Sequence, residues 1–161
     1  MYTALLTLWS AQHLPSSQAI TNVNDASGAP VDIEDASRLV VLGGSLTEIV
    51  FALGAGDRVV GVDASSTYPE AVDQLQKVSY HRRLAAEGVL SLSPTLVIAT
   101  TEAGPPEALQ QLQSAGVTVL ILPHEPSAAS AVGRIRSLAR ALDVEVRGEA
   151  LVQALERDLE R

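Results

Sequence analysis

From residue 38 onward the chain alternates short unbroken apolar runs with stretches whose apolar positions recur at helical spacing. Arg38 to Leu42 is an apolar run ended by Gly43 and Gly44. Ser45 and Glu48 then form an S-x-x-E capping box ahead of Leu46, Ile49, Val50 and Leu53. This predicts strand, tight turn and helix. Gly54 and Gly56 close the helix, Val59 to Val62 predicts a second strand, and Asp63 to Pro69 a polar loop. Helical spacing around Glu87 to Leu92 stops at Pro94, and Leu96 to Thr100 predicts a third strand. Pro105 and Pro106 open a helix with Leu109, Leu112 and Ala115 on its apolar face, closed by Gly116. Val117 to Leu122 predicts a fourth strand, and Ser127 to Leu142 a helix with Ile135, Leu138 and Leu142 turned inward.

Strands that are continuous apolar runs, without polar alternation, are covered by helices on both faces. The expected fold is therefore α/β: a parallel four-stranded sheet flanked by helices, a Rossmann-like doubly wound lobe. In such sheets ligands bind beyond the carboxyl ends of the strands, where the strand order reverses. The loops at that edge are Gly43 to Ser45, Asp63 to Tyr68, Thr101 to Pro106 and Pro123 to Ser127.

Both ends depart from this alternation. Met1 to Ala19 carries a short apolar patch (Ala4, Leu5, Leu6, Leu8, Trp9) and small residues at Ser16, Ser17 and Ala19, but no Lys or Arg precedes Arg38. Two readings are open, a damaged or mis-started export signal and a plain tail. Ile20 to Ser37 is rich in Asn, Asp, Ser, Gly and Pro and reads as a linker or a β-hairpin lead-in, with Val31 to Ile33 one short strand. Residues 1–37 are thus set apart from a lobe at 38–145. Gly148 to Arg161 shows Leu151, Val152, Leu155 and Leu159 at helical spacing with no capping signal after them, as if the chain stopped in mid-helix. Residues 146–161 are expected to begin a helix that continues in a longer protein.

Composition narrows the function classes. The 161 residues are 47% apolar and 19% charged with a formal charge of −8, which disfavours disorder and, lacking excess Lys and Arg, a nucleic-acid partner. The chain has no cysteine, which excludes disulfides, thiolate nucleophiles and Cys-ligated metals within it. No apolar stretch approaches the roughly 20 residues of a membrane-spanning helix.

Gly43-Gly44-Ser45 at a helix start can receive an anion on free backbone amides, but neither phosphate-loop nor dinucleotide spacing is present, so a plain helix cap competes. His13, His81 and His124 lack metal-ligand spacing; His124 follows the fourth strand at the ligand edge, where a solvated loop histidine is the ordinary case. No G-x-S-x-G occurs. The most distinctive patch is Tyr80-His81-Arg82-Arg83, in a chain with three tyrosines. It reads either as a solvated basic turn or as a phenolate donor for Fe(III). In the second reading neighbouring guanidiniums favour the phenolate and pair with ligand carboxylates. Tyrosine plus arginine suits ferric haem and its two propionates.

Residues Arg38 to about Arg161, about three quarters of the chain, resemble the N-terminal lobe of haem-binding periplasmic proteins of bacterial ABC importers, class III substrate-binding proteins like the siderophore and cobalamin binders. The matching segments are Leu42 to Ile49, Gly54 to Asp63, Ser66-Thr67-Tyr68-Pro69, Tyr80 to Pro94 and Ala103-Gly104-Pro105-Pro106. Leu42-Gly43-Gly44-Ser45 and Val60-Gly61-Val62-Asp63 are shared across the wider class, whereas Tyr80 to Glu87 with Ala103 to Pro106 is more specific to the haem branch. The resemblance implies a non-enzymatic carrier in the periplasm that delivers haem to an ABC permease. It makes Tyr80 the axial iron ligand, with Arg82 bonding the tyrosine or a propionate and Arg83 a further candidate support. Gly43, Gly44, Ser45 and Gly104 would shape one wall, with Tyr68 near the cleft and Glu87 docking on the permease. Family members usually carry glycine where Ser79 stands. They also have a second lobe, which this sequence lacks, so a truncated, weakly binding lobe is expected. A ferric-siderophore or cobalamin carrier lobe and a non-binding interaction lobe are the alternatives.

Overall fold

The computed structural model describes residues 21–161; the expected export-signal remnant of Met1 to Ala19 lies outside them. Strands β1 (Thr21–Asn24) and β2 (Pro30–Ile33) pair antiparallel, so of the two readings for this region the hairpin is the one observed. It is packed onto the body, with Val23 and Ile33 buried and the Ala26 N–H donating to the Ile121 carbonyl at 2.7 Å. The main sheet contains β3 (Leu39–Leu42), β4 (Val59–Val62), β5 (Gln76–Lys77), β6 (Leu96–Thr100) and β7 (Thr118–Leu122), in the order β5-β4-β3-β6-β7. Every pair is parallel.

The expected α/β class holds, with five strands where the apolar runs predicted four. The extra strand, β5, is two exposed polar residues at the sheet edge and carries no hydrophobic pattern. The helices are α1 (Gly44–Ala52), α2 (Ala86–Leu90), α3 (Pro106–Ser114), α4 (Ala128–Ala141) and α5 (Glu145–Leu159), and short helical turns span Gly56–Arg58, Glu70–Gln74 and His81–Arg83.

Successive side chains of a strand point to opposite faces, and here both faces are buried. Leu39, Val41, Leu96, Ile98, Leu120 and Leu122 pack with Leu46 and Val50 of α1, Ile135 and Leu138 of α4 and Val152 of α5. Val40, Leu42, Val97, Ala99 and Val119 pack with Val89 of α2 and Leu112 of α3. The chain runs from β3 outward to β4 and β5, then returns to the other side of β3 for β6 and β7. The order therefore reverses at the β3–β6 seam, and the carboxyl edge there is the ligand edge of this architecture.

The capping box does not form. Helix α1 begins one residue before Ser45, its N-cap Gly43 has φ 121, and no side chain caps it. Gly43 is drawn back because its N–H donates to Asp63 Oδ1 at 2.9 Å, and Gly44 lies against the Ser65 carbonyl, where an added Cβ would sit at 3.0 Å. At α4 the side-chain cap is realised, with the Ser130 N–H donating to Ser127 Oγ at 3.1 Å.

Candidate functional site

Asp63, the first residue after β4, is wholly buried and organises the carboxyl edge. Its Oδ1 accepts from the Gly43 N–H at 2.9 Å and the Ser66 hydroxyl at 2.8 Å. Its Oδ2 accepts from the Ser65 hydroxyl at 2.7 Å, from His81 Nδ1 at 2.8 Å and more distantly from the Ser65 and His81 N–H groups. Burial pushes this carboxyl up, but the hydrogen bonds from Ser65, His81, Gly43 and Ser66 outweigh it and hold the group below the usual carboxylate range. An ionised Asp63 accepts only, so His81 carries its proton on Nδ1. One carboxylate thereby ties together the β3–α1 turn, the β4–β5 loop and the turn that bears Tyr80.

Tyr80 precedes the His81–Arg83 turn, and its ring lies 4.5 Å from the His81 ring at an interplanar angle of 56°. Its side chain is exposed, with 41% of its surface open to solvent, so the phenol stands outside the packed interior. The loop that carries it is fixed by three backbone hydrogen bonds, to Ala64 and Gly104. The Ala64 N–H donates to the Ser79 carbonyl at 2.7 Å, the Gly104 N–H to the His81 carbonyl at 2.9 Å and the Leu84 N–H to the Gly104 carbonyl at 2.8 Å.

Arg82 and Arg83 are exposed beside Tyr80. The Arg82 guanidinium is turned to the Glu102 carboxylate; among the described residues it makes no hydrogen bond to the Tyr80 phenol. The second oxygen of Glu102 lies 3.1 Å from His124 Nε2, an ion pair only where that histidine is protonated, and the His124 side chain is 41% exposed. Of the expected wall residues, Gly43 has already committed its N–H to Asp63, so it is not a free amide for a ligand. Gly44 is half-buried and Ser45 exposed at the same edge, and Gly104 is buried as the tie described above. Tyr68 is 65% exposed in the β4–β5 loop, and Glu87 is exposed in the first turn of α2. Glu102 and the clamp role of Asp63 escaped the sequence reading. The signal available was position: Asp63 directly follows β4 and Glu102 lies two residues after β6, at the edge where ligands bind.

Residues 39–161 match the family model described as periplasmic binding protein. The chain belongs to the periplasmic binding protein family. Among curated members, an uncharacterised ABC transporter substrate-binding lipoprotein, YvrC of Bacillus subtilis, is 36% identical over 140 residues, 85% of this chain and 44% of that protein. The vitamin B12-binding protein of Vibrio cholerae is 37% identical over 84 residues, 52% of this chain and 30% of that protein. Among solved structures, a periplasmic haem-binding protein from Pseudomonas aeruginosa is 44% identical, with a TM-score of 0.76 over 78% of this chain and 45% of that one. This periplasmic binding protein lobe thus spans less than half the length of these relatives.

Proposed function

We propose that the chain is the N-terminal lobe of a haem carrier that delivers its cargo to an ABC permease, with Tyr80 ligating Fe(III). The observation that carries this reading is the phenol of Tyr80. It belongs to an exposed residue on a turn anchored to Asp63 and Gly104 and followed in the chain by the exposed Arg82 and Arg83. A phenolate is a hard anionic donor suited to ferric iron, and guanidiniums suit propionates. The 44% identity to a haem-binding periplasmic protein supports the same ligand. In this reading residues 38–145 form the lobe, α5 belongs to the connector toward a second lobe, and Gly44, Ser45 and Tyr68 border the ligand. Glu87, an exposed acid on α2, is the docking contact for the permease, and the compartment is the periplasm. The relatives are binding proteins, and the lobe carries cargo without transforming it. One wall covers one porphyrin face, so this chain alone binds haem more weakly than a carrier with two walls, by the apolar surface left in water.

Titration of ferric haem into the chain tests the reading. A Soret shift to a tyrosinate-type spectrum is expected, and Tyr80→Phe weakens binding by more than about tenfold, the usual cost of losing even the outer support of a metal ligand. No shift at tens of micromolar, or an unchanged Tyr80→Phe, contradicts it. A cobalamin carrier is the second reading, favoured by the vitamin B12-binding relative; it requires cobalamin to bind and haem not to.

A further inference from the structure

The pairing of Arg82 bears on how a ligand enters. The Arg82 guanidinium is 52% exposed and the Glu102 side chain 30%, so their ion pair lies at the open rim, and Glu102 Oε2 is held 3.1 Å from His124 Nε2. The three residues come from the loops after β5, β6 and β7. The backbones of these loops are joined independently of the side chains. The Gly104 N–H donates to the His81 carbonyl at 2.9 Å, the Leu84 N–H to the Gly104 carbonyl at 2.8 Å and the Thr101 N–H to the Leu122 carbonyl at 3.0 Å. The guanidinium can therefore change partners without moving the loops.

We propose that Glu102 is an internal stand-in for a ligand carboxylate, occupying Arg82 in the empty lobe and ceding it to an incoming carboxylate. This rests on the haem-carrier reading and adds to it a residue that tunes the affinity for a carboxylate ligand. A guanidinium bound to a carboxylate exchanges readily for a second carboxylate, because the incoming bonds have the same geometry and charge. A neutral ligand has no carboxylate to draw Arg82 away, so it leaves the ion pair in place. As a latch, Glu102 thus competes with a ligand carboxylate for Arg82 and not with an uncharged ligand of the same shape.

The experiment measures affinities of the 161-residue chain for ferric haem, for the iron-free dicarboxylate porphyrin and for the dimethyl ester of the latter. The variants are Glu102→Gln and, as a control, Glu125→Gln, which removes an equal charge from the neighbouring β7–α4 loop. The latch predicts that Glu102→Gln tightens the free acid about two- to fivefold, the worth of a partly exposed ion pair, and leaves the ester unchanged, with Glu125→Gln at wild-type affinity. It is overturned if Glu102→Gln does not tighten the free acid, if the ester gains equally, or if Glu125→Gln gains as much. The iron-free arm separates the two ideas. A latch effect there without tyrosinate ligation of ferric haem sinks the Tyr80 assignment alone, whereas ligation without a latch effect sinks only the latch. Porphyrin binding to none of the proteins sinks both.

Discussion

At Ser79 the backbone takes φ 109, a region that favours glycine, one residue before the proposed ligand Tyr80. The resemblance anticipates glycine here, and the geometry explains why. Serine is held in place by the Ala64 N–H on its carbonyl at 2.7 Å and by its own hydroxyl donating to the Arg83 carbonyl at 3.3 Å. Such strain costs on the order of 1–3 kcal/mol, part of which glycine returns through its freer unfolded chain. Ser79→Gly should therefore raise stability by about 1 kcal/mol in urea unfolding; a loss of stability would show that the serine hydroxyl outweighs the strain. Asp63 makes the opposite prediction. Its donors are satisfied only by a carboxylate, so Asp63→Asn turns an amide N–H toward them and should cost about 3 kcal/mol at neutral pH. The folded carboxyl lies below its unfolded value, so its stabilisation is complete above about pH 4 and fades as pH falls through the folded value. Thermal unfolding between pH 7 and pH 3 should show a flatter profile for Asp63→Asn than for the wild type. The Tyr80 patch was legible because tyrosines are few here. The acids were not, since a carboxylate acquires its meaning only from donors that other loops supply.

Among the elements, strands β3, β4, β6 and β7 follow from unbroken apolar runs, because a strand covered on both faces has no polar positions to interrupt it. Strand β5 was illegible: Gln76 and Lys77 are both exposed, and the strand exists only through its pairing with Gly61 and Val62. The start of α1 was misread for a related reason, as the local S-x-x-E pattern is overridden by a tertiary bond from Gly43 to Asp63. The apolar stripe of α5 was visible, but its seat on α4 was not. Gly148 lies against Ala139 so closely that an added Cβ would collide with the alanine methyl, and Arg136 pairs with Glu149 beside it. Further along, Arg147 donates to the Leu53 carbonyl at 3.3 Å, placing a cation at the carboxyl end of α1. Gly148→Leu should overpack this contact and cost about 1–3 kcal/mol by denaturant titration, whereas the exposed Val146→Thr should be near neutral. Equal effects would mean that α5 does not depend on close approach to α4.

Across the whole molecule, the sheet brings the loops after all five strands to one rim, and one buried carboxylate locks three segments of that rim together. That rigidity suits a wall that receives a planar cargo, since little ordering remains to be done on binding. The matched part covers 45% of the haem-binding structure that the chain resembles. The central claim is that the Tyr80 oxygen binds ferric iron. Resonance Raman spectroscopy of the ferric haem complex, with ring-deuterated tyrosine incorporated, tests it most directly. The account predicts an isotope-sensitive iron–tyrosinate mode that survives Tyr68→Phe and vanishes in Tyr80→Phe. A complex without such a mode, or with one that persists in Tyr80→Phe, would contradict it.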